Sequence, residues 1–82
     1  MTTILITGAN RGLGLEFVRQ YAKDGATVHA ACRRPEKAQE LIELANANAG
    51  KITVHTLDVA SDASVQHLKR ELGAAPLDIV VN

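Results

Sequence analysis

Aromatic side chains are nearly missing from this chain: one Phe, one Tyr and no Trp, 2% of 82 residues. Stacking successive unpaired bases requires flat rings, so a platform for single-stranded nucleic acid is not expected. Neither sign of charge is in excess. Nine Lys and Arg balance nine Asp and Glu, which argues against a general nucleic-acid or anionic-membrane surface. Cys32 is the single cysteine, so no internal disulfide forms and the chain suits a reducing compartment. Long hydrophobic runs are lacking too. Met1-Thr2-Thr3 leads into a short apolar stretch, without the charged and hydrophobic regions of a secretory signal, and no span is long enough for a bilayer. Together these absences predict a soluble, cytoplasmic protein with no nucleic-acid and no membrane partner. His29, His55 and His67 lack a metal-ligand partner at a usable spacing. They are expected to be structural or surface residues, and no metal site is expected. The length allows one small domain, of a size that hides only about 60% of its unfolded surface.

What is present centres on Thr7-Gly8-Ala9-Asn10-Arg11-Gly12-Leu13-Gly14. The apolar run Ile4-Leu5-Ile6 leads into it, and a helix-like segment leads out. Glycines let a backbone turn sharply and approach an anion with no Cβ in the way. The first N–H groups of the following helix have no internal partner, and the helix dipole favours negative charge at that end. The segment therefore reads as a phosphate cradle between a strand and a helix; the bland alternative is a plain turn that happens to be rich in glycine.

The remaining chain alternates strands and helices. Thr2 to Thr7 reads as a strand covered on both faces. Gly12 to Asp24 reads as a helix with Leu13, Phe17 and Tyr21 as its apolar face, stopped by Gly25. Ala26 to Cys32 is a second strand. Arg33-Arg34-Pro35 breaks it, and Pro35 opens a helix to about Asn48 with Ala38, Leu41, Ile42 and Ala45 on one side. Lys51 to Leu57 is a third strand. Ser61 or Asp62 caps a third helix, with Val65, Leu68 and Leu72 as its face and Gly73 closing it. Ala74-Ala75-Pro76 is a turn, and Leu77 to Val81 is a fourth strand. The β-α-β-α-β-α-β order predicts an α/β fold with a doubly wound parallel sheet of Rossmann type. With strand order 3-2-1-4, two helices cover one face and the third covers the other. The glycine turn then sits at the carboxyl end of the first strand, where strand order reverses and ligands bind. One helix cannot cover a four-stranded face, and the apolar fourth strand has an open edge of the kind proteins pair or cover. The expectation is that residues 1–82 are the front half of a larger single domain, with an oligomeric contact or a partner at that edge.

Several motifs give this reading a family. Thr7-Gly8-x-x-x-Gly12-x-Gly14 resembles the cofactor motif of short-chain dehydrogenases/reductases of the classical type. Asp58-Val59, after the third strand, resembles the family's adenine-ring contact. Leu77-Asp78-Ile79-Val80-Val81-Asn82 resembles the strand that opens the Asn-Asn-Ala-Gly motif. The wording Gly8-Ala9-Asn10-Arg11-Gly12-Leu13-Gly14, then Cys32-Arg33, is similar to NADPH-dependent carbonyl reductases and their C-factor-like branch. The resemblance runs over all 82 residues. It implies a nicotinamide cofactor held by Thr7, Gly8, Asn10, Arg11, Gly12, Leu13, Gly14, Arg33, Asp58, Val59 and Asn82.

The cofactor's identity is read at the end of the second strand. NAD-binding relatives carry an acidic residue there, which accepts from a ribose hydroxyl. This chain has Cys32 and then Arg33, with Arg11 just before the second motif glycine. Two guanidinium groups suit a ribose 2′-phosphate through charge-assisted bonds, so NADP(H) is favoured over NAD(H). Simpler readings stand beside these. Arg33 and Arg34 can be ordinary solvated charges. Thr7 can be a strand residue favoured for its branched Cβ, and Asp58 can form an Asx-turn. Leu13 can offer its N–H while its side chain packs. Cys32 has no neighbouring base to make it a nucleophile and reads as a small residue leaving room for the ribose.

The family's chemistry uses a Ser and a Tyr-x-x-x-Lys pair, in which the Lys lowers the Tyr pKa for general acid–base work. Here the single tyrosine is Tyr21, and Gly25 stands four residues on. No catalytic residue is assigned, and no turnover is expected from these residues alone. The leading expectation is the NADP(H)-binding part of a short-chain oxidoreductase that transfers hydride between NADPH and a carbonyl or alcohol, with the small-molecule substrate bound by a full-length form. The alternatives are a non-catalytic nucleotide-binding or signalling module, and a truncated fragment without separate activity.

Overall fold

The computed structural model describes residues 2–73 and 77–80. Its elements follow in the order β1 (Thr3–Thr7), α1 (Gly12–Lys23), β2 (Thr27–Cys32), a 3₁₀ turn (Pro35–Lys37), α2 (Gln39–Ala47), β3 (Ile52–Thr56), α3 (Asp62–Leu72) and β4 (Asp78–Val80). All pairings are parallel, in the order β3-β2-β1-β4. The proposed Ala74-Ala75-Pro76 turn, Val81 and Asn82 lie outside the described residues.

Strand alternation sends successive side chains to opposite faces, and the two faces carry separate cores. Ile4, Ile6, Val28, Ala30, Cys32 and Ile52 pack with Leu15, Val18 and Ala22 of α1 and Leu41 of α2. Leu5, Ala31 and Leu57 pack with Leu68 of α3, flanked by Val65, Leu72 and Leu77. The first two helices thus cover one face and the third covers the other. Near-continuous burial of Ile4 to Thr7 follows from a central strand covered on both sides.

The faces of two helices differ from the sequence expectation. In α1 the buried stripe is Gly14, Leu15, Val18 and Ala22, whereas Leu13 is 66% exposed. Small residues at 14 and 22 let the helix lie close to the sheet. Phe17 and Tyr21 are too large for that seam and pack at its flank, ring centroids 6.3 Å apart. Of the expected second-helix face, Ala38, just before α2, and Leu41 are buried but Ile42 is exposed; the stripe continues through Leu44 and Ala45 instead. The second helix also does not begin at Pro35. Pro35 starts a 3₁₀ turn closed by the Ala38 N–H donating to the Pro35 carbonyl at 3.0 Å. Ala38, at φ −96° and ψ 66°, leaves helical geometry before α2 begins.

The third helix starts as its capping residue dictates. Ser61 Oγ accepts from the Ser64 N–H at 3.2 Å, supplying one of the partners a first turn lacks. Among the described residues, no helix is long and apolar enough to cross a membrane.

Candidate functional site at the carboxyl ends of the strands

The glycine turn leaves β1 at Thr7, which is buried. Gly8 and Gly12 have φ of 61° and 58°, the left-handed region that costs an ordinary L-residue a Cβ clash. At Gly12 a Cβ would meet nothing within 4 Å, so the backbone torsion, not crowding, calls for glycine there. The turn is tied to the neighbouring strand by the Ala9 N–H, which donates to the Ala31 carbonyl at 3.1 Å. That bond carries Asn10 and Arg11 toward the end of β2.

Helix α1 opens with its amino-terminal end bare of side-chain caps. Its capping position is Arg11, whose side chain makes no capping bond, and its first turn holds no acidic residue. The first bond back to the cap, Leu15 N–H to the Arg11 carbonyl, is long at 3.3 Å. The amides of Gly12, Leu13 and Gly14 precede it and point out of the helix end, where partial positive charge collects. Leu13, with its side chain exposed, contributes backbone there and not packing.

Beside this end lies a hollow of about 420 Å³ lined by Asn10, Arg11, Arg33, Arg34 and Lys37. Arg11 and Arg33, distant in sequence, therefore line one cavity. Arg34 and Lys37 belong to it as well. Lys37 was invisible to sequence reasoning because a helix starting at Pro35 would carry it round the axis. The 3₁₀ turn, held by the Lys37 N–H donating to the Arg34 carbonyl at 3.0 Å, keeps it over the hollow. No residue there signals the break, since Pro35 suits the start of either helix type and Ala38 is a strong helix former.

Cys32, which ends β2 just before Arg33, is buried. Burial pushes its thiol above the ordinary value; a hydrogen bond to the Arg34 backbone works against this, and Glu36 adds to it. The residue stays a neutral thiol, without nucleophile character.

The third strand end joins the same rim through the Leu57 N–H, which donates to the Cys32 carbonyl at 2.8 Å. Asp58 forms the Asx-turn: its Oδ1 accepts from the Ala60 N–H at 3.0 Å. Its own N–H donates to Ser64 Oγ at 2.9 Å, so the first turn of α3 fixes the loop. Val59 is 71% exposed, an apolar side chain held at the rim. The described residues thus bring Gly8, Asn10, Arg11, Gly12, Leu13, Gly14, Arg33, Asp58 and Val59 to one end of the sheet, with Thr7 at its base. Among them no group of His, Cys, Asp and Glu is arranged to hold a metal ion.

A parallel sheet wound on both faces, with a glycine turn, a bare helix end and a cationic hollow where strand order reverses, defines a Rossmann-type nucleotide fold. A family model described as short chain dehydrogenase matches residues 2–82. The chain belongs to that family. It is 46% identical over 79 residues to a probable oxidoreductase of Streptomyces antibioticus, a match spanning 94% of this chain and 26% of that protein. A carbonyl reductase from Pseudomonas aeruginosa, solved in complex with NADP, superposes with a TM-score of 0.95 at 31% identity, over 100% of this chain and 38% of its own. A short-chain dehydrogenase/reductase from Burkholderia multivorans with bound NADP gives 0.90 at 30% identity, over 99% and 36%. The chain therefore spans about a quarter of the length of the first of these relatives.

Proposed function

We propose that residues 1–82 are the amino-terminal, NADP(H)-binding part of a single Rossmann domain whose whole form is a short-chain oxidoreductase. The observation that carries this is the hollow shared by Arg11, Arg33, Arg34 and Lys37 beside the bare end of α1. A dinucleotide with a 2′-phosphate carries anions at two places, the pyrophosphate and the ribose. The helix end suits the first and the guanidinium pair suits the second, through charge-assisted bonds with fixed fork geometry. Lys37 adds a point charge. No carboxylate lines this hollow, so nothing there favours a bare ribose hydroxyl over its phosphate. NADP-bound structures among the similar proteins support the same choice.

The other residues fall into place around this reading. Gly8, Gly12 and Gly14 let the backbone approach the pyrophosphate, with the Leu13 N–H among its donors. Thr7 and Asn10 brace the turn, while Asp58 and Val59 meet the adenine, Val59 by its exposed apolar surface. Asn82 belongs to this set by resemblance alone. When bound, the cofactor supplies hydride for a carbonyl or accepts it from an alcohol, and these residues hold and orient its adenosine and pyrophosphate portion. The small-molecule substrate, a cytoplasmic setting, and a homo-oligomeric or other contact at the β4 edge are parts of the same proposal.

The test is the Arg33→Ala variant, with Lys37→Ala beside it, titrated with NADPH and NADH. Loss of one charged hydrogen bond corresponds to about tenfold or more in affinity. NADPH affinity is expected to fall by that factor in Arg33→Ala and by less in Lys37→Ala, with NADH little changed. Equal losses for both cofactors would refute the 2′-phosphate role.

A further inference from the structure

Lys37 borders two hollows. Beside the cationic one at the end of β2 lies a second, of about 370 Å³, lined by Asn10, Lys37, Ala38, Gln39, Glu40 and Glu43. Asn10 and Lys37 are common to both, so the two adjoin along the 3₁₀ turn and the start of α2. Their charges are opposite. Three guanidinium groups line the first, and two carboxylates line the second. Glu40 stands in the first turn of α2, and Glu43 Oε1 accepts from Gln39 Nε2 at 3.4 Å. Among the described residues, Lys37 makes no ion pair with either carboxylate.

A lysine ammonium is a point charge on a flexible four-carbon stem, whereas a guanidinium binds in a rigid fork. The backbone beneath Lys37 is fixed: its own N–H donates to the Arg34 carbonyl and the Ala38 N–H to the Pro35 carbonyl, each at 3.0 Å. Only the side chain is left to choose a side. Without a ligand the field on it is one-sided, because Arg11, Arg33 and Arg34 repel the ammonium while Glu40 and Glu43 attract it. A phosphate monoester carries between one and two negative charges near neutral pH. Placed among the arginines, it reverses that field and draws the ammonium across.

We propose that Lys37 is a cation shared between the two hollows: Glu40 and Glu43 draw it in the absence of ligand and yield it when a 2′-phosphate enters. The inference rests on the assignment of the 2′-phosphate to the cationic hollow. It makes Glu40 and Glu43 positioning residues for cofactor choice, acting on the phosphate through Lys37. It also supplies the reason for expecting a smaller loss in Lys37→Ala than in Arg33→Ala. Part of the attraction of Lys37 for phosphate is offset by leaving the carboxylates. The site therefore holds a 2′-phosphate less tightly than its four cations allow.

The test combines Glu40→Gln with Glu43→Gln, which removes both charges and keeps side-chain size and an acceptor oxygen for Gln39. The 82-residue chain is titrated with adenosine 2′,5′-bisphosphate and with adenosine 5′-monophosphate at about 50 mM salt, where exposed charges are weakly screened. Bisphosphate affinity is expected to rise by at least about threefold, with the monophosphate little changed. Repeated in a Lys37→Met background, the same two substitutions are expected to lose most of that gain. Glu40→Gln alone is expected to give part of the gain, and it decides the point should the combined variant fail to fold. No gain, an equal gain with both ligands, or an undiminished gain in Lys37→Met would each overturn the sharing. Equal binding of the two ligands by the unaltered chain would instead remove the 2′-phosphate assignment beneath it, so the two failures are told apart.

Discussion

Arg11 and Arg33 meet because one backbone hydrogen bond, from Ala9 to Ala31, draws the glycine turn to the end of β2. Each arginine alone is an ordinary solvated charge. In one hollow with Arg34 and Lys37 they form a positive field with no carboxylate in its lining. The glycines work differently, through torsion. Gly12 sits at φ 58° with open space where a Cβ would be, so Gly12→Ala is expected to fold with a penalty of roughly 1–2 kcal/mol, the usual cost of left-handed backbone in an L-residue. A thermal melt checks this, and an unchanged midpoint would mean that the turn relaxes to negative φ. At this scale the sequence was legible in position, since Arg11 and Arg33, read as neighbours at one strand end, line the same hollow. It misled at Leu13, where a four-residue rhythm pointed to a packed side chain and the structure shows an exposed one. Side-chain rhythm cannot say which stripe of a helix meets a sheet; the small residues Gly14 and Ala22 decide it, because only they permit close approach.

Each element's boundary follows from the chemistry of its ends. Ser61 caps α3 through Ser64, and Ser64 in turn receives the Asp58 N–H. Removing the cap with Ser61→Ala is expected to cost about 1 kcal/mol. It should also loosen the 58–61 loop, seen as faster amide exchange at Ser64 and its neighbours; exchange unchanged there would deny the coupling. Element type and order were readable, since apolar periodicity and Gly and Pro punctuation agree along the chain. The break at Ala38 was not. Pro35 suits the first turn of an α-helix as well as a 3₁₀ turn, and the choice depends on how the segment returns to the sheet to bury Ala38 and Leu41. That break is what leaves Lys37 over the cationic hollow.

For the molecule as a whole, the His29–His55 cluster, with Nδ1 and Nε2 2.9 Å apart across β2 and β3, makes stability depend on pH through His29. His29 has a folded-state value below its ordinary 6.5. The unfolded chain therefore takes up this proton first as pH falls. The stabilisation is complete above about 6.5 and is lost progressively on acidification through the folded value. Denaturant midpoints measured across that range should decline toward acid, with a shallower decline in His29→Gln; a flat profile would contradict the assigned direction. The cluster was hidden in the sequence because His29 and His55 stand 26 residues apart and only the parallel register brings them together.

The central claim is a site built for a dinucleotide with a 2′-phosphate, and calorimetric titration with adenosine 2′,5′-bisphosphate and with adenosine 5′-monophosphate tests it most directly. The two ligands share the adenine, the ribose and the 5′-phosphate, and differ by the one group assigned to Arg11, Arg33, Arg34 and Lys37. The bisphosphate is predicted to bind at least about tenfold more tightly, with the advantage shrinking as salt is raised. Equal affinities, or a preference for the monophosphate, would contradict the account.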